Sequence, residues 1–356
     1  MLQRTCCGLG SGLLLGLVLM SFPAIGDEPY RLELHGGPSI VDSDFRSLSA
    51  SMLGSSQSIA DTSSKGLEFG AEYFFRPIEA DSGPLWEAAF LERASSLKLS
   101  LGASRADSES AATWSLGGPT TETTSRTRFE RSEYELRYRF VATEKPWFGI
   151  ASYGVADSAA ERLGVPAIEW DDEHIRYSVG VGRYLGSRTA VTAEYGRSRL
   201  ESSPVVGLSP GLGSPGLGSS LLSRRDRTLS LGVHSVLELG ARGHLGLTAA
   251  LHEMTFTDPA SSDDSLGSYE IGVSYYPRNN IAIGLSAMGY HDGDPSLRGS
   301  LHEYMLEANW FVTPSIAVGL AYETTDYRLG FVDSLGFSSG NKDSSSGFRF
   351  NFTWRR

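Results

Sequence analysis

Charged residues recur at alternate positions in segments that otherwise carry apolar side chains: Glu133, Glu135, Arg137 and Arg139; Arg176; Glu194; Glu270; Glu303 and Glu307; Glu323; and Arg349. On an extended chain successive side chains point to opposite faces, so each charge stands on the face away from its apolar neighbours. An Arg or Lys on a lipid-facing strand surface costs about 2 to 4 kcal/mol at mid-membrane, which sends these groups toward water. Lining the lumen of a barrel, opposed acidic and basic clusters would create a transverse field that orients small polar solutes and sets ion selectivity. Salt-bridge ladders bracing the wall are the alternative use of the same residues. The acidic excess at Glu270, Glu303, Glu307 and Glu323 predicts a weak preference for cations.

Other chemistry is sparse. There is no phosphate-binding Gly-rich loop, no dinucleotide fingerprint and no His-Glu-x-x-His. The histidines His35, His174, His234, His244, His252, His291 and His302 show no metal-ligand spacing, so neither a metal nor a cofactor is expected. His234 or His252 beside Ser230 or Ser235 would be the components of a lipase-like pair, but serines are so numerous that such pairings arise by chance, and the expectation is that the chain is not an enzyme. Cys6 and Cys7 lie in the leader, which leaves the mature chain without thiol chemistry. Loss of Arg4 with the leader changes the net charge from -11 to -12, a balance that argues against nucleic acid as a partner.

The elements that would position these residues begin after residue 26. Residues 1–26 carry one charge, an apolar run from Gly8 to Phe22 and a small-x-small close at Ala24-Ile25-Gly26, the pattern of a cleaved signal peptide. Residues 27–356 are then one domain, and the chain's 41 glycines, all but five of them in this domain, accompany alternating apolar and polar positions. Tyr269 to Tyr275 and Ile281 to Ser286 form the clearest hairpin, turning at Pro277-Arg278-Asn279-Asn280. The chain ends on Phe348, Phe350, Phe352 and Trp354, aromatics on one strand face with polar residues on the other.

Counting such segments predicts an all-β, transmembrane antiparallel barrel of about fourteen strands, within a range of 12 to 16. An even count lets the first strand pair with the last and removes every edge. Short turns should alternate with long external loops at 36–64, 103–127, 156–172, 200–226, 257–267, 291–300 and 330–345. One connection departs from this scheme: Pro84 to Arg93 is a good helix former and predicts a short periplasmic helix. A lumen of intermediate width follows from the strand number.

Gly66 to Pro77, followed by Glu87 to Ser96, resembles a segment of the general porins of Gram-negative bacteria. The C-terminal aromatic strand is similar to the recognition strand of outer-membrane barrel proteins, although Arg355 and Arg356 follow the last aromatic. The resemblance implies an outer-membrane location and passive diffusion of small hydrophilic solutes or ions through a water-filled lumen. Its partners would be outer-membrane lipid and the barrel-assembly machinery, and its state a monomer or homotrimer. A closed-lumen barrel, structural or adhesive through its external loops, is the competing expectation.

Overall fold

The computed structural model describes residues 29–51, 54–79, 83–115, 120–142, 144–163, 168–206, 222–257, 264–292, 297–332 and 338–356. The strands are β1 (Tyr30–Ser51), β2 (Gly54–Ile78), β3 (Ser96–Ser115), β4 (Thr121–Val141), β5 (Trp147–Leu163), β6 (Ile168–Tyr184) and β7 (Thr189–Val206). They continue as β8 (Leu222–Glu238), β9 (His244–Thr257), β10 (Asp264–Arg278), β11 (Ile281–Asp292), β12 (Leu297–Thr313), β13 (Ile316–Val332) and β14 (Ser338–Arg355). Each pairs with its sequence neighbours, and β1 pairs antiparallel with β14, so the sheet closes on itself. Closure leaves no unpaired backbone edge, the condition for a sheet to cross a bilayer.

The alternation seen in the sequence is the wall itself. On β6 the side chains of Tyr177, Val179 and Val181 are exposed on the outside, while Arg176, Ser178, Gly180 and Gly182 take the opposite, lumen-facing register. The same division places Phe148, Ile150, Ser152 and Gly154 of β5 inward, a register the sequence pattern alone leaves unassigned. At the C-terminus Phe348 and Phe350 are exposed on the outer face, whereas Trp354 near the rim is only 8% exposed.

The start of β1 and the end of β14 lie at one end of the barrel, where Glu33 is opposite Arg355. Connections at that end are brief, as between Arg278 and Ile281 or Thr313 and Ile316. The exception is the stretch between β2 and β3, which carries a 3-10 turn (Leu85–Glu87) and a single helical turn, α1 (Ala88–Leu91). At the opposite end the structure corrects the expected loops. Residues 36–64 are almost wholly β1 and β2, paired rung by rung up to Ser51 opposite Gly54, and β3 and β4 run to Ser115 and from Thr121. β5 to β8 likewise take up much of the stretches at 156–172 and 200–226. These extensions are mostly Ser, Thr, Asp and other polar residues, with apolar ones such as Ile40, Leu48 and Trp114 too scattered to set a period, yet the ladder hydrogen bonds continue. The expected signal peptide at 1–26 and the Gly-Leu-Ser-Pro repeat at 207–218 lie outside the described residues.

Candidate functional site

The lumen register brings the anticipated charges together across strands that are not adjacent. Arg137 of β4 reaches Glu194 of β7, Nη2 to Oε2 3.3 Å, over Ser152 and Ser178 on the intervening strands. The two serine hydroxyls are themselves 2.7 Å apart, and the Ser178 hydroxyl donates to Glu194. Arg176 of β6 approaches Glu133 of β4 at 4.0 Å over Gly154 of β5, and Glu133 also takes a 2.9 Å contact from Arg131. Arg349 of β14 contacts Glu323 at 3.2 Å and, over β1, Glu68 at 3.8 Å. Small residues on the bridged strands let these long side chains lie flat along the wall.

Glycines serve the same purpose rather than simply widening the lumen. A Cβ on Gly182 would overlap the Phe148 ring, and one on Gly284 would meet Glu307 Oε1 at 2.6 Å. Glu270, Glu303 and Glu307 form no ion pair among the described residues. The lumen therefore has a charge-paired wall on β4 to β7 and an acidic wall on β10 to β12. Against the paired wall lies a cavity of about 500 Å³ bordered by Glu135, Arg137, His174, Arg176, Glu194 and Asp226.

The terminus-bearing mouth is crossed by the β2–β3 connection. A single helical turn has no stability of its own, so its position is set by what it touches. Leu85 packs with Phe311 and Ala317, and its N–H donates to the Asn279 carbonyl at 2.8 Å. Trp86 lies against Phe311, ring centroids 4.4 Å apart. Ala88 and Ala94 join Tyr30, Phe74 and Ile78. On the far side Phe90 meets the His234 ring at 4.2 Å and packs against the cluster of Val141, Phe148, Tyr184 and Ala190. Arg93, whose φ of 55° ends the helix, lies 4.7 Å over the Tyr184 ring and donates to the Gly186 carbonyl at 2.6 Å.

Two polar fastenings complete this plug. Glu87 is buried, with Oε2 2.9 Å from His234 Nε2 and Oε1 accepting from the Tyr276 hydroxyl at 2.6 Å. Gly246 leaves the room: a Cβ there would sit 3.2 Å from Glu87 Oε1. Arg355, its side chain 3% exposed, donates to Glu33 at 2.8 Å and to the Leu85 carbonyl at 3.0 Å while stacked on Tyr30 and Phe311. The contacted residues lie on β1, β2, β4 to β8, β10 and β12 to β14, so the segment spans the ring. The anticipated short helix exists as the single turn of α1, seated within the mouth. Glu87, Tyr276 and Arg355 were not among the anticipated site residues; an acid inside an apolar helix and arginines after the last aromatic were their traces in the sequence.

Of the possible serine–histidine pairs, His252 Nδ1 does meet Ser230 Oγ at 2.8 Å, on neighbouring strands in the lumen. Among the described residues no carboxylate is bonded to the ring's other nitrogen. His234 instead serves Glu87, and Ser235 bonds to Thr189 at 2.8 Å. The described residues hold no cluster that could bind a metal ion.

No protein-family model matches the sequence, nor does any curated protein. Solved structures do match. A deletion mutant (deltaS2) of the monoaromatic hydrocarbon channel TodX superposes with a TM-score of 0.51 at 12% identity, covering 95% of this chain and 94% of that one. A second TodX mutant, deltaS2S3, gives 0.50 at 12% identity, with 93% of each chain covered. The fold is that of an outer-membrane β-barrel. Omp33 of Acinetobacter baumannii also aligns over 93% of this chain and 100% of its own at 14% identity, but its TM-score of 0.36 adds nothing to that assignment. In an outer-membrane barrel the short turns and both termini face the periplasm, and the long hairpins face outside. The plug thus occupies the periplasmic mouth.

Proposed function

We propose that this protein is an outer-membrane channel for small hydrophilic, charged solutes, shut at its periplasmic mouth by the β2–β3 plug and opened when that plug yields. One observation carries the reading: the lumen cavity of about 500 Å³ presents Arg137, Arg176 and His174 together with Glu135, Glu194 and Asp226. Mixed charge at close range can hold and orient an ionic solute, whereas an apolar one would only strip water from these groups. The hydrocarbon cargo in the names of the TodX structures is therefore not assigned to this chain. Transport, not catalysis, is the role proposed.

The plug supports a second reading, a permanently closed barrel with a structural or adhesive role. Its three apolar anchors and the Glu87 and Arg355 fastenings are more than a mobile segment needs. Single-channel recording in a planar bilayer separates the two. The mature chain is expected to conduct rarely, and a variant with residues 84–93 replaced by a Gly-Ser linker to conduct in steady steps. A linker variant that is folded, heat-modifiable and silent would establish the closed barrel.

A further inference from the structure

Beyond the last apolar rung of β3 and β4, the outer wall matches its charges. Arg105 is opposite Glu130, Asp107 opposite Arg128 and Glu109 opposite Arg126. Arg128 Nε lies 3.3 Å from Asp107 and Arg126 Nε 3.8 Å from Glu109. On β7 and β8 the rung of Tyr195 opposite Leu229 is followed by Arg197 opposite Arg227 and then Arg199 opposite Arg225. Like charges on directly opposed residues repel; beside this basic block the same wall carries an acidic row, Asp157, Glu173 and Glu201 across β5, β6 and β7, and Asp44 stands opposite Asp61.

All four arginines are exposed. Arg199 contacts Glu201, and Arg197 Nε donates to the Tyr195 hydroxyl at 2.8 Å. Among the described residues no carboxylate pairs with Arg225 or Arg227. Asp226, between them in sequence, has the lumen register and is bonded to Arg224 at 2.8 Å. Glu253 of β9 is opposite Leu229, not an arginine. The block stands one rung past outward-exposed Tyr195 and Leu229, the end of the apolar band on these strands, where a headgroup would meet a barrel in its membrane.

A second observation lies below it on the same strands. The apolar wall is concave there, a hollow of about 910 Å³ bordered by Val181, Val191, Ala193, Leu231, Ala249 and Leu251. Ala193 and Ala249 are short between longer neighbours, which forms its floor. Guanidinium pairs above an apolar hollow suit one chemical class. Their planar forks bind phosphate bidentately, and acyl chains fill the hollow.

We propose that Arg197, Arg199, Arg225 and Arg227, with the hollow beneath them, bind a phosphorylated glycolipid of the outer leaflet. The anion turns the repelling arginines into a bridged pair and tethers the barrel to its surrounding lipid. This rests on the hairpin end facing outward, not on conduction, so a silent barrel would leave it intact.

The test uses the whole mature protein, stripped of lipid in neutral detergent. Its probes are bis-phosphorylated lipid A, the dephosphorylated glycolipid and inorganic phosphate, followed by native mass spectrometry. The phosphorylated form should bind about tenfold more tightly than the dephosphorylated one, and the Arg225→Gln/Arg227→Gln double variant should lose that preference. Ala249→Phe, which fills the hollow, should weaken both glycolipids. Without lipid the double variant should melt no lower than the parent, since only repulsion is removed, and this shows that lost binding is not lost folding. Equal binding of the two glycolipids by the parent, or a preference that survives the double variant, overturns the proposal. Displacement of the glycolipid by equimolar inorganic phosphate would do so as well, by showing a site for the free ion.

Discussion

Glu87 and His234 meet at 2.9 Å across the periplasmic mouth although 147 positions separate them in the chain. With the Tyr276 hydroxyl on its other oxygen, the buried Glu87 carboxylate is satisfied on both sides. A carboxylate is costly to bury without partners, so this contact specifies one seat for the plug, whereas its apolar anchors would tolerate small shifts.

Glu87→Ala should loosen the seat and leave the barrel intact. The change leaves His234 and Tyr276 without their acceptor in a mostly buried site, a loss of about 1 to 3 kcal/mol felt by the plug. Single-channel recording should show a higher open probability, with heat-modified migration on gels unchanged. Parental gating in this variant would mean that the apolar anchors alone hold the segment.

Arg355→Ala should damage both plug and barrel. The side chain is buried, joins the β1–β14 seam through Glu33 and holds the Leu85 carbonyl. Removing one partner of a buried ion pair costs about 3 to 5 kcal/mol. The unfolding temperature should fall and conductance should rise in the same protein, and Arg355→Lys should restore neither fully because an ammonium cannot reproduce the forked contact. A variant that loses stability without gaining conductance would limit Arg355 to closing the seam.

The wall was legible in the sequence because each strand such as Val179-Gly180-Val181-Gly182 carries its own period, and the strand number and closure followed from counting. The Arg137–Glu194 pair was half legible: the pattern gives the shared face, but the partner depends on the register of two intervening strands. The plug's destination was not legible. Trp86, Glu87 and Phe90 mark a helix, yet their partners Phe311, His234 and Tyr184 are distant in sequence and only closure of the ring gathers them. The outer hairpin of β1 and β2 reads as a loop in the sequence because runs of Ser, Asp and Thr leave its few apolar residues without a regular alternation.

Charge reversal on the acidic wall should reverse selectivity. Glu303 and Glu307 lack an ion-pair partner among the described residues, so their charge should act on passing ions more than that of the paired Glu194. In the plug-replaced variant, Glu303→Lys/Glu307→Lys should shift the reversal potential in asymmetric KCl from the cation toward the anion side. Glu194→Gln should move it less. If both variants keep the original sign, the selectivity lies elsewhere in the lumen.

The orientation of the wall can be tested at two adjacent residues. Leu231 is 53% exposed on the lipid face, and Ser230 stands opposite Glu194 in the lumen. Leu231→Arg places a cation in hydrocarbon and should cost about 2 to 4 kcal/mol, seen as a lower folded fraction in urea titrations of bilayer-reconstituted protein. Ser230→Arg carries the same change in charge and a larger gain in volume but finds a carboxylate across the strand, so it should fold close to the parental level while narrowing the conducting path. Equal penalties at the two positions would show that the lumen at this depth is as dry as the lipid. A heavier penalty at Ser230 than at Leu231 would invert the two faces, and with them the placement of every charge on which the channel reading depends.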